Sequence, residues 1–336
     1  MPVLRPRRLA ITIAAAALVL LAGCGGDSDT ATTTPAAPSR ATLVLDFTPN
    51  AVHAGTYLAV ARGDDRRAGV ALRIEPPPTS SDAVKLLLAG RADLAYLDIH
   101  DLALADERAP GSLVAVMALV QRPLAAVIAQ ASVTRPRGLE GRRAGVSGLP
   151  SDRAVLDSIV RGDGGDPARV RRVTIGFQAV PALLAGRVAA ATGFWNAEGV
   201  ALSARRPAMR IFRVDEFGAP SYPELVLVTT PRTLRERPQL VRGTVAALRR
   251  GYTATIADPQ AAIAALTAAA PGVDAAAARR ELDAVLPAFT PAGGGAVGTL
   301  DLATLRTWAT WEQRFGITAS VPDVGRLFAP RVAAAR

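Results

Sequence analysis

The chain has 336 residues, half of them hydrophobic but only 4% aromatic, and 39 Lys and Arg against 29 Asp and Glu give it a formal charge of +10. A nucleic-acid binder would cluster that charge and interleave it with aromatic side chains. Here the cations are nearly all arginine and run through every segment, with Lys85 the sole lysine, which speaks against a polyanion site.

Arg5, Arg7 and Arg8 precede an apolar run from Leu9 to Leu21, and the tetrapeptide Leu21-Ala22-Gly23-Cys24 follows. A basic start, an apolar run too short for a comfortable membrane span and a small-residue cleavage site read as an export signal over residues 1–23. Removing it takes away three arginines and no acids, leaving +7. LAGC resembles a lipobox, which implies acylation of Cys24 and anchorage at the outer face of the cytoplasmic membrane. As Cys24 is the only cysteine, its acylation leaves no thiol for disulfides, cysteine-based metal sites or a cysteine nucleophile. Residues 24–40, rich in Thr, Ser, Gly, Pro and Ala, read as a flexible tether. Roughly 310 residues then remain, enough for two lobes.

Leu43 to Leu45 is a short apolar run of strand type, and Pro49 ends it because proline cannot donate to a ladder. Helical spacing of Val52, Thr56/Tyr57 and Val60 predicts a helix over Ala51–Ala61, so the order is that of the first half of a βαβ unit. Ligands of such units sit beyond the carboxyl ends of the strands, which makes Asp46, Phe47, Thr48, Asn50 and His53 candidates for a pocket wall, with Tyr57 a further hydrogen-bonding candidate. Phe47 as core and Asn50 as a helix cap is the other reading.

A second strand is predicted at Leu72–Glu75, and a helix over Ala83–Leu88 with Ser81 or Asp82 as its cap. LLLAGRADLAY (86–96) and ALLAGRVAAAT (182–192) repeat one pattern of helix, Ala-Gly-Arg turn and strand, with Gly90 and Gly186 at the left-handed C-cap position. Two such units about a hundred residues apart predict two lobes of like construction. The first repeat leads to Asp98 and His100, the second to Trp195, Asn196 and Glu198. A metal reading of Asp98-Ile99-His100-Asp101 is weak with only His53 and His100 in the chain; instead Asp98 or His100 hydrogen-bonds in a cleft, or Asp98 or Asp101 caps a helix.

Ser112–Val120 and Leu124–Gln130 read as strands near the exit from the first lobe, and Arg143–Val146 as another. Ser147, Gly148 and Ser151 open the following helix, where exposed N–H groups suit an anion unless Ser151 or Asp152 caps them. Strands are predicted at Val173–Phe177, Ile211–Val214 and Glu224–Thr229, with Tyr222 and Glu224 at the return to the first lobe, where either could face the cleft. Pro- and Gly-punctuated helices fill the rest as scaffold. Lobe I therefore comprises 41–130 and 225–336, and lobe II 131–224.

Three strings carry a family resemblance. D-F-T-P-N-x-x-H-x-G-x-Y (46–57), G-x-x-G-x-P-S-D-x-A-V-L (145–156) and F-W-N-x-E-G-V (194–200) resemble the NMT1/THI5-like solute-binding proteins, with Phe47 where that family usually has tryptophan. The resemblance implies an α/β two-lobed, type II periplasmic-binding-protein fold, Rossmann-like lobes joined by two crossings. It also implies a monomeric lipoprotein that delivers a small ligand to an ABC permease and its ATPase. Thiamin-precursor pyrimidines are the implied cargo, held by stacking on Phe47 and Trp195 and hydrogen bonds to Asn50 and Glu198; alkanesulfonate, taurine, nitrate or riboflavin are alternatives. A pyrimidine synthase, the other activity in the family, is associated with a cysteine-rich, iron-dependent motif that this chain lacks. Neither catalytic residues nor a cofactor nor a metal is assigned.

Overall fold

Ser39 to Val44 alternates from exposed to buried and lies in parallel register with Val70 to Glu75, so the first sheet grows from this pair. The computed structural model describes residues 37–77 and 82–334. The export signal, Cys24 and most of the tether lie outside the described residues, as does Ser81. The tether expected through residue 40 ends earlier, because Ser39 and Arg40 already pair with Val70 and Ala71; at the exposed end of a strand their polar side chains are tolerated.

The first lobe runs through β1 (Ser39–Val44), α1 (Ala54–Ala61), α2 (Asp64–Arg67), β2 (Val70–Glu75), α3 (Asp82–Leu88), β3 (Leu94–Asp98), α4 (Ile99–Arg108) and β4 (Val114–Val120). The second runs through β5 (Ala125–Ala129), β6 (Arg143–Val146), α5 (Pro150–Gly162), β7 (Arg171–Thr174), α6 (Ala179–Leu184), β8 (Ala190–Phe194), α7 (Glu198–Arg205) and β9 (Arg210–Arg213). The chain then returns through β10 (Leu225–Thr229) to α8 (Pro231–Glu236), α9 (Pro238–Ala257), α10 (Pro259–Ala269), α11 (Ala275–Val285) and α12 (Leu302–Arg314). The sheets have strand orders β2-β1-β3-β10-β4 and β7-β6-β8-β5-β9. In each, three strands run parallel and the next, β10 or β5, runs antiparallel.

The two Ala-Gly-Arg turns occupy equivalent places in these sheets. Gly90 (φ +69°) and Gly186 (φ +66°) both take the left-handed conformation that ends α3 and α6 and feeds β3 and β8. One boundary differs from the sequence expectation. Ala125–Ala129 pairs with β8 and β9, so it lies in the middle of the second sheet and the first crossing falls at 121–124 rather than at 130. An all-buried strand is equally suited to either sheet, and its apolar run carries no mark of which one it joins. The second crossing precedes β10. β4 is wholly buried although it ends the sheet: Ala118 donates to Gly298, and Ala329 to Ala115, so the C-terminal segment covers its edge.

Behind the first sheet, α1 and α9 approach at two glycines. A Cβ on Gly251 would stand 2.2 Å from the Gly55 carbonyl, and one on Gly55 2.6 Å from the Tyr252 ring. Tyr252 uses this closeness: its hydroxyl donates to the Val52 carbonyl at 2.7 Å and accepts from Thr56, which in turn accepts from Tyr96. This buried chain of hydroxyls holds the residues after β1 against the scaffold helices. Gly251→Ala should therefore destabilise the protein by about 1–3 kcal/mol through overpacking, against the stabilisation of up to about 1 kcal/mol that Gly→Ala normally brings inside a helix. Urea unfolding checks this, with Gly272→Ala, which meets nothing within 4 Å, as the near-neutral control; a Gly251→Ala protein as stable as wild type contradicts the close-packed crossing.

Candidate functional site

Between the two sheets lies a narrow cleft lined by residues of both lobes. Its floor is built from the end of β3, the start of α4 and the start of β10, which bring Asp98, His100 and Glu224 together. Its far wall is the second lobe: Ser147, Leu149, Ser151 and Asp152 at the head of α5, Gly176 and Phe177 after β7, and Thr192, Gly193, Phe194 and Glu198 at the end of β8.

The floor is acidic and buried. Asp98 caps α4, its Oδ1 accepting the His100 amide at 2.7 Å. The His100 ring donates from Nδ1 to Glu312 of α12 at 2.8 Å, and its Nε2 meets the Tyr222 hydroxyl at 3.3 Å. Burial by itself would lower the His100 pKa, but the charges of Glu312 and Asp98 and the hydrogen bond to Glu312 outweigh it and raise it to about 10. Glu224 accepts the Leu124 amide at 2.7 Å. Burial, then the Asp98 charge, push its carboxyl up to about 8. Asp98 is raised by burial in the same way, and Asp101 next to it reaches about 7 through burial and the Asp98 charge. Among the residues lining the cleft, Asp98, Asp152, Glu198 and Glu224 are acids; the one base, His100, is already engaged by Glu312.

The head of α5 differs from the expected anion seat. Asp152 Oδ2 accepts the Ser147 hydroxyl and the Gly148 and Leu149 amides, at 2.7, 2.7 and 3.1 Å, while Oδ1 accepts the Thr192 hydroxyl at 3.0 Å. The N–H groups that would hold an anion are thus turned onto the chain's own carboxylate. Ser147 and Ser151 still line the cleft, and Gly148 supplies the left-handed turn (φ +100°) that aims its amide inward.

The aromatic pair also differs. Trp195 is only 4% exposed and is not among the residues lining the cleft; its indole donates to the Pro123 carbonyl at 2.8 Å, and Arg213 lies over its ring at 4.1 Å. It therefore locks the first crossing instead of facing a ligand. Phe47 is 46% exposed and meets Phe177, 64% exposed, with ring centroids 6.4 Å apart. Phe194, directly before Trp195, lines the wall. Trp195 follows the end of β8, where its indole turns toward the first crossing while Phe194, the last residue of the strand, stays on the cleft wall. Phe177 was legible only as a strand end; of the two residues at the return crossing that could face the cleft, Glu224 lines it and Tyr222 does not.

The remaining candidates serve the frame of the first lobe. Asn50 caps the turn at 51–53, accepting the Val52 amide at 3.0 Å. His53 Nδ1 accepts the Asn50 amide, so its proton sits on Nε2, 2.7 Å from Asp46, and its ring stacks on Tyr96. Tyr57 is buried, which raises its hydroxyl pKa, and Tyr222 is buried between His100 and Trp311. Asn196 is buried with no partner for its Oδ1 among the described residues. None of these lines the cleft. Among the described residues, no group of three or more His, Cys, Asp or Glu side chains is placed to hold a metal ion, and no helix is long and apolar enough to cross a membrane.

Residues 50–262 match the family model described as NMT1/THI5 like. The formylaminopyrimidine-binding protein of Halalkalibacterium halodurans is 28% identical over 224 residues, 66% of this chain and 68% of its own length. A 4-amino-5-hydroxymethyl-2-methylpyrimidine phosphate synthase of Legionella pneumophila is 24% identical over 258 residues, 75% of this chain and 80% of its own. Among solved structures, the periplasmic aliphatic sulphonate binding protein SsuA from Escherichia coli superposes with a TM-score of 0.71 over 88% of this chain and 93% of its own, at 13% identity. That likeness shows the fold, which is the periplasmic-binding-protein fold expected from the sequence.

The His100–Glu312 pair makes stability depend on pH with a definite sign. A folded pKa near 10 against the ordinary imidazole value of 6.5 means the pair contributes fully below about pH 6.5, and its contribution fades as pH rises through 10. The Tm of the ligand-free protein should fall across that window, and Glu312→Gln should cost about 3–5 kcal/mol at pH 6 by leaving a buried imidazolium unpaired. A Tm that rises from pH 6.5 to 9 contradicts this placement of the proton.

Proposed function

The chain belongs to the NMT1/THI5-like family, and from that premise we propose that it is the substrate-binding component of an ABC importer. Its cargo is a small planar heterocycle carrying N–H donors, a thiamin-precursor pyrimidine of the formylaminopyrimidine or hydroxymethylpyrimidine type. One observation carries this reading: four carboxyl groups line the cleft, and its single base already has a buried partner. Such a surface accepts hydrogen bonds from ring amino and N–H groups and repels anions. Phe47, Phe177 and Phe194 supply flat apolar faces at the mouth and wall, so a planar solute stacks there while Asp98, Glu198 and Glu224 accept its donors.

A ligand held by both lobes shifts the balance toward closure, and the closed form docks on a permease that its ATPase drives. On this reading the protein works as a monomer outside the cytoplasmic membrane, held by lipid on Cys24. The E. coli structure, titled as a sulphonate-binding protein, favours an anionic cargo as the second reading; against it stands Asp152, whose carboxylate already takes the amides at the head of α5. The synthase relative favours catalysis. Against that, the sole cysteine is Cys24, directly after the export signal, and the sole lysine, Lys85, is not a cleft residue.

A thermal-shift panel tests the reading. 4-Amino-5-hydroxymethyl-2-methylpyrimidine or its formylamino relative should raise the Tm, and an alkanesulfonate should leave it unchanged. Asp98→Asn and Glu198→Gln should each weaken the pyrimidine by roughly 10- to 100-fold, the loss of one charge-assisted hydrogen bond. Trp195→Phe should lower the ligand-free Tm and keep the ligand-induced rise. Stabilisation by sulfonate alone transfers the assignment to anions, and turnover of the pyrimidine transfers it to an enzyme.

A further inference from the structure

Glu224 does more than line the cleft. It sits directly before β10, where the chain re-enters the first lobe, and is 2% exposed. Its Oε2 accepts the Leu124 amide of the first crossing at 2.7 Å, and its own carbonyl accepts the Ile99 amide at the head of α4. From the opposite side, Trp195 holds the same stretch: its amide donates to the Leu124 carbonyl at 3.0 Å and its indole to the Pro123 carbonyl. One carboxyl group therefore touches the cleft, the first crossing and the second.

We propose that ligand capture is proton-linked through Glu224: a heterocycle offering N–H donors to Asp98 and Glu224 displaces the proton held there, and the resulting carboxylate grips the Leu124 amide more firmly. The inference rests on the donor-bearing heterocycle assigned to the cleft above. In the step an O–H bond of the carboxyl group breaks, the electron pair stays on the oxygen and the proton passes to solvent. Every group facing Glu224 bears on it. From the end of β3 and the head of α4 come Asp98, whose charge opposes ionisation, and His100, which favours it while Glu312 backs it from α12; from the first crossing come the Leu124 and Ala125 amides, which favour it. Tyr222 lies two residues before it on its own segment, and the Asp46 charge acts on Asp98 in turn. Burial, the largest influence, keeps the carboxyl protonated up to about pH 8 in the ligand-free protein. Hydrogen bonds from a ligand to the charged form reverse that balance, and a carboxylate is the stronger acceptor for the hinge amide.

Isothermal titration of the full chain with 4-amino-5-hydroxymethyl-2-methylpyrimidine at pH 7, in phosphate and in Tris, counts the protons, because the apparent heat differs by the buffer ionisation enthalpy times the number released. About one proton per ligand is expected, with affinity rising roughly tenfold per pH unit between 6.5 and 7.5 and levelling above 8. Glu224→Gln keeps an acceptor for Leu124 and should release close to none, with a flat pH profile. Binding by wild type with no buffer-dependent heat overturns the proton linkage alone and needs no variant to be folded. Release unchanged in Glu224→Gln moves the proton to another group and overturns it too. Absence of any binding overturns the heterocycle reading and this inference with it.

Discussion

A single peptide stretch, Pro123-Leu124, is held from both sides, by the Glu224 carboxyl through its amide and by Trp195 through two carbonyls. The cleft exists because these bonds fix where one sheet ends and the other begins. Buried carbonyls and amides at a crossing need partners, since leaving one unsatisfied costs about 1–3 kcal/mol. Here the partners come from two segments that also line the cleft: the one entering β10, and the end of β8. Hinge and binding site are therefore parts of one hydrogen-bonded structure.

The charge of the chain and the charge of the site are opposite in sign. An overall excess of arginine describes the surface, where cations are solvated and screened. The cleft is lined by acids, and burial raises several of them toward neutrality. Burying carboxyl groups side by side is unfavourable unless a partner arrives, and the His100–Glu312 pair offsets only part of the cost. A site in that state is matched to a solute that brings donors. At the head of α5 the opposite matching has already been made within the chain: Asp152 satisfies the amides that an incoming anion would use.

Much of the architecture was readable from residue patterns. The Ala-Gly-Arg turns announce two similar units because a left-handed residue after a helix and before a strand is a strong local signal, and both glycines adopt it. Local signals fail where the partner is remote. Ala125–Ala129 is apolar throughout, so nothing in it distinguishes the edge of one sheet from the centre of another. The motif Phe194-Trp195-Asn196 stands at the end of β8, but which ring lines the cleft depends on how the chain turns after that strand. His53 and Asn50 stand in a ligand-like string yet satisfy each other and Asp46, contacts formed within a few residues but visible only once the turn is built. Glu312, more than two hundred residues from His100, carries no sequence mark of its role.

Selection by donors rather than by shape or anionic charge is the central claim, and paired titrations measure it directly. A 4-aminopyrimidine and its 4-oxo counterpart have nearly the same outline, but one presents an amino group to the floor carboxyls and the other a carbonyl oxygen. The account predicts that the amino compound binds at least about tenfold more tightly at pH 7, a difference of about 1.4 kcal/mol. Equal affinities, or a preference for the oxo compound, contradict it.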